Sequence, residues 1–368
     1  MIYGLKQALC AWNIQIHGVL LELGFTCTYS DAGIYVYHRQ DGEGIVIIIL
    51  YVDDITLSGD SSKEISRIKS MLSSHFEMTD LGKIDSYLGV CIMCNRSIRH
   101  LEIDQSWYIL EIIDRFRLSD TNPACMPLPS GAEVHLVKHN GQATPAEINY
   151  YQQIIGSLLY VQIGTCPDIS FAVSQLAQYS SNPSPQHLRL AKYVLCYLQG
   201  TADLQIRYDG ARRDGLHGYS DSSLGDHADD YHSTSGYVFL LADGAISWAS
   251  RKQKTVTQST TQAEYMALAD AANQATWYRS FLTEIGYEVS DPIPLHGDNK
   301  GAVDLALNPV TGRRSKHIPI KHHAIHQYVE DGFIDLIRTP TNDMLADGLT
   351  KPHAQVRLKD FVTGLGLI

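Results

Sequence analysis

Residues 44–59 read GIVIIILYVDDITLSG, an apolar run that ends in two adjacent aspartates and resumes as a second β-like stretch. The pattern predicts a strand, a tight acidic turn and another strand. Asp53 and Asp54 would then share the tip of a hairpin, where like charges repel unless a cation lies between them. Two divalent metals about 3.5–4 Å apart are one way to hold such carboxylates. The alternative is a plain polar turn, in which Asp is common.

The composition is that of a globular protein with several domains. The chain has 368 residues, of which 44% are hydrophobic and 19% charged, and this length predicts two or three domains. The longest apolar run, residues 44–52, is far shorter than the ~20 residues of a membrane-spanning helix. The first residues lack the regions of a signal peptide. We therefore expect no membrane association and a cytoplasmic or nuclear location.

The formal net charge of −11 disfavours strong independent binding to nucleic acid. Local basic patches at residues 251–254 (RKQK) and 313–317 (RRSKH) would offset it, as would metal ions on the carboxylates. The seven cysteines are an odd number in a large chain and do not indicate a disulfide framework.

The hydrophobic periodicity divides the chain into three parts. The first part predicts a hairpin over residues 85–103 and helices over 12–24, 61–76 and 107–116. A linker rich in Pro and Gly follows at residues 122–131. The middle part predicts three helices, over residues 148–163, 168–179 and 185–198.

The last part returns to strands from about Leu204. Strands are predicted over residues 216–222, 235–241, 245–249, 293–297 and 333–339. Helices are predicted over residues 262–285, 300–307 and 322–330, with a final helix from near Asn342. A meander of strands followed by alternating strands and helices predicts a mixed sheet covered by helices.

Four acidic residues occupy related places in this last part: Asp221, Glu264, Asp298 and Asp347. Two of them end the first and fourth strands, one opens the long helix and one lies on the final helix. If the first and fourth strands are neighbours, their acids meet at one sheet edge and the long helix brings the third over them. Such hard oxygen ligands suit Mg²⁺.

Each of these acids also has a structural alternative. Thr261 and Glu264 fit a capping box, and Asp298 could cap the next helix. Asp221 could start a turn, and Asp347 could be a solvated helix end. The order of the four acids along the strands and helices favours a shared site.

Ten short segments, spread over nearly the whole chain, together carry a resemblance to a known protein family. They are residues 1–8 (MIYGLKQA) with Trp12, 50–55 (LYVDDI), 156–160 (GSLLY), 167–169 (PDI), 191–198 (AKYVLCYL), 233–237 (STSGY), 262–265 (QAEY), 298–299 (DN), 316–318 (KHI) and 346–351 (ADGLTK). Together they resemble the C-terminal part of a copia-type LTR retrotransposon Pol polyprotein, over nearly the whole chain.

The resemblance implies a multidomain α+β protein, a reverse transcriptase followed by RNase H. Its domains would be a partial palm with the primer-grip region (1–121), a linker and helical thumb or connection segment (122–203), an RNase H-like α/β domain with a five-stranded mixed sheet (204–352) and a tail (353–368). The implied partners are an RNA–DNA hybrid or a template–primer duplex. A homo-oligomer or a complementing polymerase subunit would fit as well.

The resemblance also implies roles for the acidic residues. Asp53 and Asp54 correspond to two of three polymerase metal ligands. Because the third lies upstream in the family, together with the fingers, we expect no DNA synthesis by this chain alone. The RNase H ligands would be the four acids of the last part, holding two Mg²⁺ ions, for which Mn²⁺ could substitute. Ser223 and Leu224 replace an acid and a Trp of the family. A catalytically inert remnant that at most binds a hybrid is therefore the alternative.

Overall fold

The computed structural model describes residues 6–39, 44–129, 131–132, 136–212, 214–308 and 324–368. The chain forms two compact units, residues Met1–Ile84 with Thr276–Asp291 and residues Asp85–Ala275 with Pro292–Ile368. The basic patch at 313–317 and the KHI segment at 316–318 lie outside the described residues, as does the start of the first quoted segment. Of the described helices, none combines the length and the apolar character that crossing a bilayer requires.

The first part of the smaller unit forms an antiparallel sheet with two helices, and its later part, from Thr276, adds the end of another helix. The elements of the first part are α1 (Lys6–Glu22), β1 (Thr26–Cys27), β2 (Ile34–His38), β3 (Ile45–Tyr51), β4 (Asp54–Gly59) and α2 (Ser62–His75), with the strands side by side in chain order. Leu20, Ile48 and Leu72, from α1, β3 and α2, are fully buried in one apolar core. Ser61 caps α2 by accepting the Glu64 N–H, where the sequence predicts the helix to start.

The acidic hairpin predicted from residues 44–59 is confirmed. Strands β3 and β4 pair antiparallel with Tyr51 opposite Asp54. Val52 has a φ of 55°, the left-handed conformation that a two-residue hairpin turn requires at its first central position. A β-branched residue seldom adopts this conformation, so the turn holds local backbone strain next to the two aspartates.

The larger unit begins with a second antiparallel sheet and a group of helices. The strands are β5 (Ser86–Tyr87), β6 (Val90–Asn95) and β7 (His100–Asp104), followed by helices α3 (Ser106–Arg115), α4 (Pro145–Gly164), α5 (Ser170–Ala177) and α6 (Pro185–Gly200) and by β8 (Ile206–Asp209). Strand β8 returns to pair with β7. The predicted hairpin and helices are confirmed, with ends that differ by a few residues.

The predicted five-stranded mixed sheet is also confirmed. Its strands are β9 (His217–Ser223), β10 (Thr234–Leu241), β11 (Gly244–Lys252), β12 (Ile293–Gly297) and β13 (Ile334–Arg338), and its helices are α7 (Thr260–Glu284), α8 (Lys300–Leu307), α9 (Ala324–Glu330) and α10 (Gln355–Gly364). The order is β11-β10-β9-β12-β13. Strands β9 to β11 are antiparallel, and β12 lies parallel to both β9 and β13.

Helix α7 buries small residues along one face. Ala263, Ala267 and Ala271 are spaced by four and are 0–1% exposed, so a helical stripe of small side chains faces the interior. The part of α7 from Thr276 onwards belongs to the smaller unit.

The prediction of a final helix from near Asn342 that carries Asp347 is wrong. Residues Thr341–Asp343 and Leu345–Leu349 form two short 3₁₀ turns, and α10 begins only at Gln355. Gly348 and Pro352 explain the difference, because glycine weakens a helix and proline ends one. Asp347 therefore lies in a tight turn, which packs against the sheet.

A glycine in β10 makes that packing close. Gly236 lies opposite Asp221 in the register of β10 and β9. A Cβ at this position would lie 2.7 Å from the Cβ of Leu349 and 2.9 Å from the Cγ2 of Thr350. Only a residue without a side chain lets the second 3₁₀ turn approach the sheet this closely.

We predict that Gly236→Ala lowers the free energy of unfolding by about 1–3 kcal/mol, because the added methyl group overpacks the contact. Urea denaturation, monitored by circular dichroism, measures this change in the free energy of unfolding. The control is Gly156→Ala in α4, where a Cβ meets no heavy atom within 4 Å and the better helix former stabilises by up to about 1 kcal/mol. Equal losses in both variants would contradict the prediction.

Candidate active site

Three carboxylates converge at one edge of the five-stranded sheet. Asp221 of β9, Glu264 of α7 and Asp298 directly after β12 each place an oxygen so that all three lie within 4.8 Å of one another. The parallel neighbours β9 and β12 bring the two aspartates to the same edge, and α7 adds the glutamate. Asp221 and Glu264 are buried, and Asp298 is half-buried. The sequence predicts this juxtaposition.

The capping alternative for Glu264 is wrong. The cap of α7 is formed by Ser259, whose Oγ accepts the Gln262 N–H at 3.2 Å. The Gln262 side chain in turn accepts the Gln258 N–H at 3.0 Å. Glu264 lies beyond the cap and is free to face the two aspartates.

The alternatives for the other acids are wrong as well. Asn299, not Asp298, caps α8 by accepting the Ala302 N–H at 3.0 Å. Asp221 lies within β9 rather than at a turn. Asp347 is 2% exposed, so it is not a solvated helix end.

Neutral hydrogen-bond donors hold the three clustered carboxylates. The Thr350 hydroxyl donates to Asp221 Oδ2, and the backbone of Ser222 hydrogen-bonds to Glu264. The Thr341 hydroxyl donates to Asp298 Oδ2 at 2.7 Å. These bonds orient the oxygens without adding positive charge.

The electrostatics of the cluster favour a bound cation. Burial raises the pKa of Glu264 to about 9, and the charges of Asp221 and Asp298 add to this effect. Burial also raises the pKa of Asp221 to about 6, against the hydrogen bond from Thr350. The three carboxylates are crowded, and the raised pKa values of Glu264 and Asp221 show that negative charge is unfavourable here. A hard divalent cation such as Mg²⁺ or Mn²⁺ fits these oxygen ligands and would relieve their repulsion.

The fourth predicted ligand, Asp347, is near the cluster but outside it. Its charge raises the pKa of Asp221, yet it is not one of the three acids with oxygens within 4.8 Å. It forms an ion pair with Lys351. Its Oδ2 lies 3.6 Å from Arg357 Nη1 and 3.9 Å from His353 Nδ1. The structure thus brings three of the four predicted acids together and gives the fourth cationic neighbours.

Sequence reasoning missed the residues that hold these acids. Thr350 and Lys351 belong to the segment 346–351 that supports the family resemblance, so a signal for them was present. Thr341 lies in a turn, and Arg357 lies in the region that the resemblance predicts to be a tail. No local pattern indicates either contact.

The other predicted site residues lie elsewhere. Asp53 and Asp54 are exposed at the hairpin of the smaller unit. Within the described ranges, the trio in the larger unit is the only metal-compatible group of three or more His, Cys, Asp or Glu side chains, so no third such residue joins the hairpin pair.

The basic patch at 251–254 is divided in two by its contacts. Lys252 pairs with Asp230 at 2.6 Å. Gln253 turns inward and donates to the carbonyl of Ala263, the neighbour of Glu264, at 2.9 Å. Arg251 and Lys254 remain exposed at the end of β11.

The chain is similar in sequence to known proteins. A family model described as "Reverse transcriptase (RNA-dependent DNA polymerase)" matches residues 1–130. The chain is 36% identical over 367 residues to the retrovirus-related Pol polyprotein from transposon RE2 of Arabidopsis thaliana, spanning all of this chain and 25% of that protein. It is 35% identical to the putative transposon Ty5-1 protein of Saccharomyces cerevisiae, over 73% of this chain and 86% of that protein.

Among solved structures, LC11-RNase H1 from compost aligns with 37% of this chain and 91% of its own, at 18% identity and a TM-score of 0.29. By its sequence similarities, the chain is a fragment of a retroelement Pol polyprotein, and its first part, residues 1–130, matches the reverse transcriptase family model. The chain belongs to the family of copia-type retrotransposon Pol polyproteins. It spans about a quarter of the length of the RE2 polyprotein.

The raised pKa of Glu264 gives a prediction about stability and pH. A carboxyl group whose folded-state pKa lies above its ordinary value contributes its full stability below the ordinary value of 4.5 and loses that contribution progressively as the pH rises to the folded value, here about 9. We therefore expect Glu264→Gln to stabilise the metal-free chain by about 1 kcal/mol at pH 8, and by less at pH 5.

Urea denaturation in EDTA at both pH values measures this difference. Glu330→Gln, which changes an exposed glutamate of α9, is the matched control and should change little. A Glu264→Gln variant that is less stable than the parent at pH 8 would refute the assignment of electrostatic repulsion to the cluster.

Proposed function

We propose that this chain hydrolyses the RNA strand of RNA–DNA hybrids at the cluster of Asp221, Glu264 and Asp298. The observation that carries the proposal is the set of three carboxylate oxygens within 4.8 Å at the edge shared by two parallel strands. These residues, together with Asp347, would hold two Mg²⁺ or Mn²⁺ ions. Divalent cations so bound supply an activated water molecule and stabilise charge on the departing oxygen.

The chain's own residues have separate tasks in this proposal. Asp221 is buried and fixed by Thr350, so it is the rigid member of the site. Asp298 is half-buried and is oriented by Thr341, so it is the member closest to solvent and to an arriving substrate. Glu264 must give up its proton for the site to bind a cation, because burial and its neighbours favour its neutral form.

The wider assignments belong to the same proposal. We assign residues 1–121 to a palm with the primer-grip region, 122–203 to a linker and thumb or connection segment, 204–352 to the RNase H domain and 353–368 to a tail. Asp53 and Asp54 are assigned as polymerase metal ligands. The nucleic-acid partner is a hybrid or a template–primer duplex, encountered in the cytoplasm or nucleus without a membrane. A second copy or a complementing polymerase subunit is proposed as a protein partner.

A cleavage assay tests the proposed chemistry. With a labelled RNA strand in a hybrid and Mg²⁺ present, we predict cleavage by the parent chain and its loss on addition of EDTA. Asp298→Asn should lower the rate by more than about 100-fold, because it removes a charged group from the reacting centre. Asp304→Asn is the matched control, since Asp304 is exposed on α8. Failure of the parent chain to cleave would remove the proposal.

A second candidate is hybrid binding without turnover. Ser223 offers a hydroxyl where the resemblance implies a carboxylate, and Asp347 is engaged with Lys351 rather than with the trio. Retained binding of a hybrid, measured by fluorescence anisotropy, together with no cleavage would establish this candidate instead.

Nucleic-acid binding should depend on the exposed cations of the 251–254 patch. We predict that Arg251→Gln with Lys254→Gln weakens hybrid binding and lowers the slope of log K against log[salt] by about 2, since each phosphate contact contributes about 1. Lys252→Gln should change the slope less, because Asp230 already neutralises Lys252. Equal effects of the two changes would contradict a role for this patch.

A further inference from the structure

Positively charged side chains that reach in from the solvent-exposed surface surround the buried Asp347. Asp347 is 2% exposed, whereas the side chains of Lys351 and Arg357 are 45% and 51% exposed. Lys351 contacts Oδ1, and Arg357 and His353 lie near Oδ2. Both oxygens of this carboxylate therefore have a positively charged or titratable neighbour supplied by the chain.

Asp347 and the three clustered acids differ in the charge of the groups that contact them. Hydroxyl groups of Thr350 and Thr341 hold the two aspartates of the trio, and the backbone of Ser222 hydrogen-bonds to its glutamate. Burial and the neighbouring acids raise the pKa of Asp221 more than Lys351 lowers it. Because buried carboxylates without a paired counter-charge are costly, a cation from solution would stabilise the trio. Asp347 already has one in the ammonium group of Lys351.

The trio and Asp347 are connected through two adjacent residues, Thr350 and Lys351. Thr350 donates its hydroxyl to Asp221, and the next residue, Lys351, pairs with Asp347. The N–H groups of Thr350 and Lys351 both donate to the carbonyl of Asp347 at 3.2 Å, which fixes the turn between them. Lys351 is thus held beside the carboxylate that a second divalent ion would need.

On the basis of the proposed metal site, we propose that Lys351 is a built-in competitor of the divalent cation for Asp347. In the chain without nucleic acid, the trio binds a divalent ion and Asp347 stays paired with Lys351. Asp347 becomes a metal ligand only when the ammonium group leaves it. Lys351 is therefore a positioning residue that sets the affinity of the second ion.

Mn²⁺ titration of the full chain by calorimetry, without nucleic acid, tests this inference. We expect Asp347→Asn to leave Mn²⁺ binding within about twofold of the parent, because Asp347 is not yet a ligand. Lys351→Met should add a Mn²⁺ site or tighten binding by about tenfold, the scale of a close charge pair. The double variant Lys351→Met with Asp347→Asn should lose this gain.

Control variants separate the ammonium group from side effects. Lys351→Arg keeps a cation beside Asp347 and should bind Mn²⁺ like the parent, and Lys359→Met removes an exposed lysine of α10 and should change nothing. Circular dichroism confirms folding. If Lys351→Met does not fold, the comparison of Asp347→Asn with the parent decides. Unchanged Mn²⁺ affinity would support the inference, and a large loss of Mn²⁺ affinity would refute it.

The outcomes also separate this inference from the proposed function. If the parent binds no Mn²⁺ and Asp298→Asn changes nothing, the metal site itself is wrong and the inference falls with it. If the parent binds Mn²⁺ and Asp298→Asn abolishes binding, the metal site stands. In that case, a Lys351→Met variant that binds Mn²⁺ no better than the parent would refute only the inference that Lys351 competes for Asp347.

Discussion

The parallel pairing of β9 with β12 is the constraint on which the site depends. Leu295 and His296 of β12 lie beside Gly218 and Tyr219 of β9, so Asp221 near the end of β9 and Asp298 directly after β12 come to the same edge. Backbone hydrogen bonds and the buried strand residues Ile293 and Leu295 hold this pairing, whereas the carboxylates themselves repel one another. The sheet therefore supplies the free energy that keeps like charges together.

The elements around that edge adjust the distances. The alanine face of α7 lets a helix carrying Glu264 lie close to its neighbours, and Gly236 lets the turn carrying Thr350 reach Asp221. In both places a small residue, alanine in α7 and glycine in β10, allows the close approach. The polar groups then act at short range, since the hydroxyls orient the carboxylates while burial resists their charge.

Much of this arrangement could be predicted from the sequence because it is encoded locally or by strand order. The alternation and turn residues of 44–59 indicate the hairpin, and the placing of Asp221, Glu264 and Asp298 after or beside regular elements indicates their meeting. The sequence predicts a helix where the structure has the turn that carries Asp347, because the apolar spacing there resembles a helix while Gly348 and Pro352 prevent one. The contacts of Lys351 and Arg357 with Asp347 depend on three-dimensional packing, which periodicity does not report.

The pairing of β7 with β8 has a consequence for how the larger unit assembles. His100 lies opposite Asp209, so this ladder joins parts of the chain that are separated by all four helices α3 to α6. Bringing such distant segments together has an entropic cost that grows with the logarithm of their separation, and contacts of this kind slow folding. The backbone hydrogen bonds within the helices between them are local in sequence. We therefore expect this ladder to close after those helices have formed.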